Sequence, residues 1–211
     1  SDELTQLAKS KYQNSKAQFH NELLDHIYAP IITGLDSVRS NIKNISKDQE
    51  PSLKSLLEHI LGEPGKQVRP AITLLTANFY KHDKNTVESM ATAIELLHTA
   101  ALLHDDTIDA SDFRRGKSSV SSLWGRNKAI VLGDFLLATS TIFVSDTENM
   151  SAIKKYFDLA VNLAKGELNE MDDAFNANQT KQQYFKRIYR KTASLFMTAA
   201  EAGSILSDAP E

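Results

Sequence analysis

The sequence predicts an all-α fold, and three observations lead to this expectation. Apolar residues recur at helical spacing along most of the 211 residues, no segment alternates between apolar and polar positions, and only 8 Gly and 5 Pro interrupt the pattern. A protein rich in tight β-turns needs more Gly and Pro than this. We therefore expect one domain, residues 1–211, built as a multi-helix bundle without a sheet.

Each predicted helix follows from its own pattern. The first has an apolar stripe at steps of three and four: Ile31, Leu35, Val38, Ile42 and Ile45. Pro51 and Gly62 bracket the second helix, because Pro favours a first turn and Gly follows a last one. Asn85 and Glu88 resemble a cap pair that opens the third. Later helices are expected over about 127–144, over about 151–174 and from Thr180 onward.

The composition excludes several classes of protein. The chain has 24 Lys+Arg, 27 Asp+Glu and a formal net charge of −3, so it is neither a charged disordered tail nor a strongly basic nucleic-acid binder. It has no Cys, which excludes a disulfide scaffold, a thiolate zinc site and a Cys nucleophile. We expect a cytoplasmic protein with no nucleic-acid partner.

The most apolar stretch, residues 129–144, raises the question of a membrane span. It is shorter than the roughly 20 residues that a transmembrane helix needs, and it contains Asp134. We therefore expect a buried core helix and no transmembrane segment. Asp134 is expected to be a buried, hydrogen-bonded acid.

The most informative stretch is ELLHTAALLHDDTIDASDFRRGK, residues 95–117. On a helix, Asp105 and Asp109 lie one turn apart, so their carboxylates point the same way, and His98 shares their face. Carboxylates at this spacing repel each other, and Asp106 adds to the repulsion, which a bound cation would relieve. Oxygen ligands favour Mg²⁺. The alternative is an ordinary solvated helix end.

Basic residues accompany these acids. Arg114, Arg115 and Lys117 follow directly, and acids that hold a cation beside bases that hold an anion suit a metal-complexed phosphate. Lys66 and Arg69 lie in the segment GKQVRP just before a helix, where the helix dipole also favours a phosphate. Taken alone, each basic element is equally compatible with a solvated surface.

Five segments together resemble the trans-prenyl diphosphate synthase family. GKQVRP (65–70) is similar to the family's GK-x-x-RP element, and residues 95–117 are similar to its first DDxxD motif with the trailing RRG. LGDFLLA (132–138), KGELNE (165–170) and KTASLF (191–196) are similar to the segments G-D-[YF]-L, G-E-x-x-Q and K-T-A-x-L. The elements occur in the family's order and span about two-thirds of the chain.

The resemblance implies an isoprenoid-synthase-type bundle around a central cavity, which joins isopentenyl diphosphate to an allylic diphosphate. It implies a homodimer or heterodimer, with Mg²⁺ as cofactor and a medium- to long-chain polyprenyl diphosphate as product. Mg²⁺ ligands would be Asp105 and Asp109, with Asp106 in support.

The resemblance also assigns the remaining site residues. The allylic diphosphate would be bound by Arg114, Lys191 and Thr192. The isopentenyl diphosphate would be bound by Lys66, Arg69, His98 and Arg115. Asp105, Asp109, Lys191 and Thr192 are thus the predicted catalytic residues.

Three features bear on how closely the chain follows the family. A second aspartate-rich motif, which family members carry after the K-T-A-x-L element, is missing from residues 1–211, so we expect a chain without that C-terminal part: a truncated chain or a subunit that needs a partner. Glu170 stands where the family has Gln. Ala100 and Ala101, just before Asp105, leave room for a long product.

Three other interpretations remain open. A metal phosphohydrolase could use the pair His104–Asp105, but it leaves GKQVRP unexplained. A terpene cyclase shares DDxxD but does not need a second diphosphate pocket. A non-catalytic or partner-dependent subunit of a heteromeric synthase would fit the missing second motif.

Overall fold

A computed structural model describes residues 23–62, 65–114 and 116–210, and the regular structure in these ranges is almost entirely helical. In chain order the helices are α1 (Ile32–Asn44), α2 (Pro51–Leu61), α3 (Val68–Ala77), α4 (Lys84–Ile108), α5 (Val120–Trp124), α6 (Arg126–Ser145), α7 (Met150–Asp172), α8 (Lys181–Ile188) and α9 (Ser194–Ile205). A 3₁₀ turn (Ala29–Ile31) precedes α1, and a π-helical turn (Tyr189–Ala193) joins α8 to α9. The predicted all-α fold is confirmed.

The long helix α4 is the centre of the bundle. Its buried residues lie on all sides of the helix, from Val87 to Thr107, as expected for a helix surrounded by other helices. It packs most extensively against α6 and also against α1 and α3, while α9 covers α3 and α7. The DDxxD segment at the end of α4 is therefore held by neighbours on several sides.

The predicted start of α4 is two residues late. Its N-cap is Asp83, whose carboxylate accepts a hydrogen bond of 2.9 Å from the backbone N–H of Thr86. Asn85 and Glu88 lie inside the helix instead. Asp83 and Asn85 are both residue types that cap helices. The sequence alone does not show which of the two side chains accepts a hydrogen bond from an unpaired backbone N–H group of the first turn.

The expectation of no sheet is wrong between α4 and α5. Strands β1 (Phe113–Arg114) and β2 (Lys117–Ser118) form a short antiparallel ribbon. Gly116, in the turn, has a φ of +79°, a conformation that glycine adopts without steric cost. Strands of two residues are too short to produce an alternating pattern, which explains why the ribbon escapes a search for periodicity.

The predicted last helix begins correctly and is then interrupted. Thr180 caps α8 in a capping box with Gln183. The π-helical turn then carries Lys191 and Thr192, both expected in the middle of an α-helix. A single wide turn changes the hydrogen-bonding pattern without changing the spacing of apolar residues enough to be recognised, and such turns are frequent at functional sites.

Helix α6 contains the apolar stretch that was predicted to be a core helix. With 20 residues, it is the one helix in the described ranges that is long and apolar enough to cross a membrane by length and composition. One face of it, including Leu132, Leu136 and Val144, is buried in the bundle and packs against α4. The absence of a transmembrane segment stays a prediction.

Helices α3 and α9 approach each other closely at Gly203. A Cβ atom on Gly203 would lie 2.1 Å from the Oγ1 of Thr76 and 2.3 Å from the backbone oxygen of Thr73. The backbone oxygen cannot rotate out of the way, so α9 fits against α3 only with glycine at this position.

We expect Gly203→Ala to lower the free energy of unfolding by about 2 kcal/mol, because α9 must move away from α3. Denaturant unfolding measures the change, with Ser204→Ala on the exposed side of the same helix as the matched control. The control should stay within about 0.5 kcal/mol of the wild type. Equal stability of the two variants would contradict this account of the contact.

Candidate active site

The acidic end of α4 points toward the segment around Lys191. Asp105 lies in the last turn of α4, and Asp109 is its exposed C-cap residue. The Nζ atom of Lys191 lies 4.0 Å from an Oδ atom of Asp105. Two predicted catalytic residues, distant in sequence and predicted on separate motifs, are therefore neighbours in the fold.

Lys191 is also held by two carboxylates from α7. Its ammonium lies 3.1 Å from an Oε atom of Glu167 and donates a short hydrogen bond to Glu170. Three carboxylates, from α4 and α7, thus surround a single ammonium group. Even after pairing with Lys191, this cluster keeps an excess of negative charge.

Gly166 allows α7 to approach the π-helical turn. A Cβ atom on Gly166 would lie 3.1 Å from both the Cβ of Arg190 and the backbone nitrogen of Lys191. The next turn of α7 makes a second link, since Arg190 donates a hydrogen bond of 2.7 Å to Asn169. These contacts fix Lys191 opposite Glu167 and Glu170.

The charge cluster changes the acidity of Asp105. Partial burial, followed by the negative charges of Glu167 and Asp109, raises the pKa of Asp105 to about 7, although Lys191 acts in the opposite direction. Without a cation, this carboxyl group therefore holds its proton to near neutral pH. A bound divalent cation would favour the ionised form.

The same cluster stabilises the charged form of Lys191. Partial burial disfavours its ammonium form, but the hydrogen bonds to Glu170 and Glu167 and the charge of Asp105 outweigh that effect and raise the pKa of Lys191. The side chain is therefore cationic at every physiological pH, as binding of a diphosphate requires.

The neighbouring Asp106 faces another direction. Its carboxylate accepts a hydrogen bond of 2.5 Å from the guanidinium of Arg114, the arginine predicted to bind the allylic diphosphate. Asp106 is well covered and anchors the β-ribbon to α4. Its predicted part in metal binding stays a prediction.

Arg69, in the first turn of α3, contacts residues from two other helices. Its guanidinium lies 4.5 Å from the ring centre of Phe196 and hydrogen bonds to the Nε2 of His98 at 3.0 Å. Because a guanidinium only donates, this nitrogen accepts and carries no proton. Two residues predicted for the isopentenyl diphosphate are thus in contact, and exposed Lys66 precedes Gln67 in the adjoining loop.

A cavity of about 390 Å³ adjoins these residues. It lies between α1, α2, α4 and the β-ribbon, and its wall includes His98, Asp106, Arg114 and Gln67. Asp105 is not part of its wall. This cavity therefore lies on the side of Asp106, whereas Asp105 faces Lys191.

The two alanines before Asp105 occupy different environments. Ala100 is only 2% exposed and belongs to the core, whereas Ala101, one turn before Asp105, is half-buried. A larger side chain is therefore better tolerated at Ala101 than at Ala100.

Thr192 and Arg115 are the last two residues predicted for the site. Thr192 is exposed in the π-helical turn beside Lys191. Arg115 lies outside the described residues.

The acidic cluster suits Mg²⁺ only with ligands from outside the protein. Within the described ranges, no three His, Cys, Asp or Glu side chains are placed so that they could hold a metal by themselves. Mg²⁺ commonly uses one or two carboxylates and completes its shell with waters and substrate phosphates. The oxygen ligands of Asp105 and Asp109 therefore fit an ion that binds together with a diphosphate.

The expectation for Asp134 is wrong. Its side chain is 66% exposed, and it lies 3.3 Å from the Nε2 of His104. The same nitrogen lies 3.2 Å from the backbone oxygen of Ile130. An apolar stretch containing one acid does not show which way that acid faces, and here it faces outward from α6.

Sequence reasoning did not assign roles to Glu167, Glu170 or Asn169. The signal for them was the resemblance of residues 165–170 to G-E-x-x-Q, which placed the segment near the diphosphate without naming its contacts. The structure shows Glu167 and Glu170 bound to Lys191.

The raised pKa of Asp105 predicts how stability depends on pH. Between about pH 4 and pH 7 the folded state keeps a proton that the unfolded chain releases, so the stability of the metal-free protein falls as pH rises through this window. Asp105→Asn removes this contribution and should stabilise the protein at pH 8 by about 2 kcal/mol, a value reduced for solvent screening.

Denaturant unfolding with a chelator at pH 4 and pH 8 measures the effect. The variant and the wild type should be similar at pH 4 and differ at pH 8. Asp109→Asn, at the exposed cap, is the control and should keep most of the wild-type pH dependence. A difference between Asp105→Asn and the wild type that is the same at both pH values would refute the assignment.

Comparisons with known proteins identify the family of the chain. The family model described as polyprenyl synthetase matches residues 50–211. A prenyl transferase from a Synechocystis strain is 33% identical over 87% of this chain and 58% of its own length. Heptaprenyl diphosphate synthase component 2 of Geobacillus stearothermophilus is 31% identical over 89% of this chain and 59% of its own length.

The same similarity extends to solved structures. The crystal structure of a decaprenyl diphosphate synthase from Rhodobacter capsulatus matches with a TM-score of 0.83 and 30% identity, over 88% of this chain and 57% of that one. The chain thus spans less than three-fifths of the length of these relatives. By its sequence match and its all-α isoprenoid-synthase fold, the chain belongs to the polyprenyl synthetase family, the trans-prenyl diphosphate synthases.

Proposed function

We propose that this chain carries the first half of a prenyltransferase site, which joins isopentenyl diphosphate to an allylic diphosphate with the help of Mg²⁺. The observation that carries the proposal is the position of Lys191, 4.0 Å from Asp105 and bound to Glu167. Acidic groups for a cation and a basic group for an anion converge there, as a metal-complexed diphosphate requires.

The proposed reaction begins with cleavage of the bond between the allylic carbon and its diphosphate. The allylic C–O bond breaks with both electrons going to the departing diphosphate, which leaves an allylic cation. Lys191 and Arg114 are cationic groups that stabilise the charge developing on this leaving group. Bound Mg²⁺ would neutralise further charge on the same phosphates.

The remaining steps need no separate base from the protein. The double bond of isopentenyl diphosphate attacks the cation, and a proton is then lost, for which the released diphosphate is a suitable acceptor. Arg69 and His98, in contact with each other, hold the second diphosphate in this proposal. Apolar side chains around the reacting carbons keep water from capturing the cation.

A component that works with a partner chain is the second candidate. Two relatives are named heptaprenyl diphosphate synthase component 2, and the chain spans only 59% and 53% of them. In this alternative the described site binds an allylic diphosphate, and turnover needs acidic groups from elsewhere. The proposed assembly is a homodimer or heterodimer, and the proposed location is the cytoplasm.

Elongation assays decide between the two candidates. The chain is incubated with Mg²⁺, labelled isopentenyl diphosphate and farnesyl diphosphate, and extracted products are separated by length. Elongation by the chain alone supports the enzyme. Magnesium-dependent binding of farnesyl diphosphate without elongation supports the partner-dependent component. If neither occurs, both are excluded.

The site also predicts the effect of removing one cation. Lys191→Met should weaken magnesium-dependent binding of farnesyl diphosphate by at least about tenfold, because a charge-assisted contact with the diphosphate is lost. Isothermal titration calorimetry measures the affinity. Lys186→Met, an exposed lysine of α8, is the matched control and should bind like the wild type. Equal weakening in both variants would point to nonspecific electrostatics instead.

The small residues before Asp105 support a product of medium to long chain length. Ala101→Phe should shorten the longest product of the elongating enzyme, because the new ring occupies space on the face of Asp105. Product analysis by chromatography measures the length. Ala100→Phe is the comparison variant, and it should lower stability, since Ala100 is buried. If a folded Ala101→Phe enzyme made products of unchanged length, the side chain at position 101 would not limit the length of the product.

A further inference from the structure

The loop before α3 contains an unusual residue. Gln67 is the N-cap of α3, has a left-handed backbone with a φ of +48°, and is only 4% exposed. This conformation costs about 1 kcal/mol for a residue with a Cβ, and glycine would adopt it without that cost. A buried glutamine at such a position therefore indicates that its side chain has a function.

The side chain of Gln67 is bound by an arginine from another helix. The Nε of Arg39, on α1, donates a hydrogen bond of 2.7 Å to the Oε1 of Gln67. The other side of the guanidinium pairs with Asp36 at 2.7 Å, but that pair is exposed and contributes little. Arg39 therefore links α1 to the loop mainly through Gln67.

Gln67 lies between two residues proposed to bind the isopentenyl diphosphate. Lys66 precedes it, and Arg69, which contacts His98, follows as the second residue of α3. The backbone oxygen of Gln67 accepts the first helical hydrogen bond of α3, from Ala71 at 3.0 Å. A change in the backbone dihedral angles of Gln67 would therefore redirect Lys66. It would also loosen the first turn of α3, which carries Arg69.

We propose that Arg39 is a positioning residue for the isopentenyl diphosphate subsite and acts through Gln67. This proposal rests on the proposed function. Arg39 also lies in the wall of the cavity that includes Gln67 and His98, so direct contact with the diphosphate is the alternative. The part of the allylic site around Lys191 is formed by α4, α7 and the π-helical turn, and only Arg114, its other proposed cation, shares the cavity wall with Arg39 among the residues assigned to the allylic diphosphate.

Calorimetry on the full chain tests the proposal with two ligands. Isopentenyl diphosphate reports on the subsite beside Gln67, and farnesyl diphosphate with Mg²⁺ reports on the side of Lys191. Arg39→Met keeps the length of the side chain and removes the guanidinium. It should weaken isopentenyl diphosphate binding about fivefold to tenfold and leave farnesyl diphosphate binding within about twofold. A loss of stability alone would affect both ligands.

Gln67→Met and the double variant separate positioning from direct contact. If Arg39 acts through Gln67, both single variants and the double variant should weaken isopentenyl diphosphate binding to the same extent. Normal binding by Gln67→Met together with weak binding by Arg39→Met would overturn the proposal in favour of direct contact. Asp36→Asn, which removes only the exposed pair, is the control and should bind like the wild type.

Failure of the inference and failure of the proposed function give different results. If the wild type binds isopentenyl diphosphate and Arg39→Met binds it equally well, the positioning role is wrong and the proposed function stands. If the wild type binds neither diphosphate, the proposed function is wrong, and the role of Arg39 is rejected with it.

Discussion

The site depends on the balance of charge around a single ammonium group. Lys191 contacts Asp105, Glu167 and Glu170, so three carboxylates share one positive charge. A proton on Asp105 relieves part of the repulsion, which is why its pKa lies near neutrality. The cluster therefore favours the binding of additional positive charge, such as a divalent cation beside Asp105.

Much of the fold could be predicted from the spacing of apolar residues. The stripe from Ile31 to Ile42 is buried as expected, and one helix begins at Pro51 and another directly after Thr180, as the sequence predicted. The β-ribbon at Phe113–Arg114 and the π-helical turn could not be predicted this way. Both depend on local hydrogen bonds rather than on a repeating burial pattern, and each spans too few residues to leave a period.

The candidate site was only partly accessible from the sequence. Helical geometry placed Asp105 and Asp109 together, and order along the chain linked Lys191 to the same family resemblance. The contacts of Lys191 with Glu167 and Glu170 depend on how closely α7 approaches the π-helical turn at Gly166. The exposure of Asp134 could not be predicted from the sequence either. It depends on how α6 is oriented against α4, and the composition of α6 does not show that orientation.

The geometry of α4 directs its neighbouring acidic residues toward different partners. Consecutive residues of a helix point about 100° apart, so Asp105 faces Lys191 while Asp106 faces Arg114 and the cavity. His98, on the cavity wall, meets Arg69 from α3. Lys191 and Arg114 thus approach the acidic end of α4 from directions about 100° apart. Because α4 is held by the core along its whole length, its acidic residues keep fixed positions relative to their basic partners, which a flexible loop would not provide.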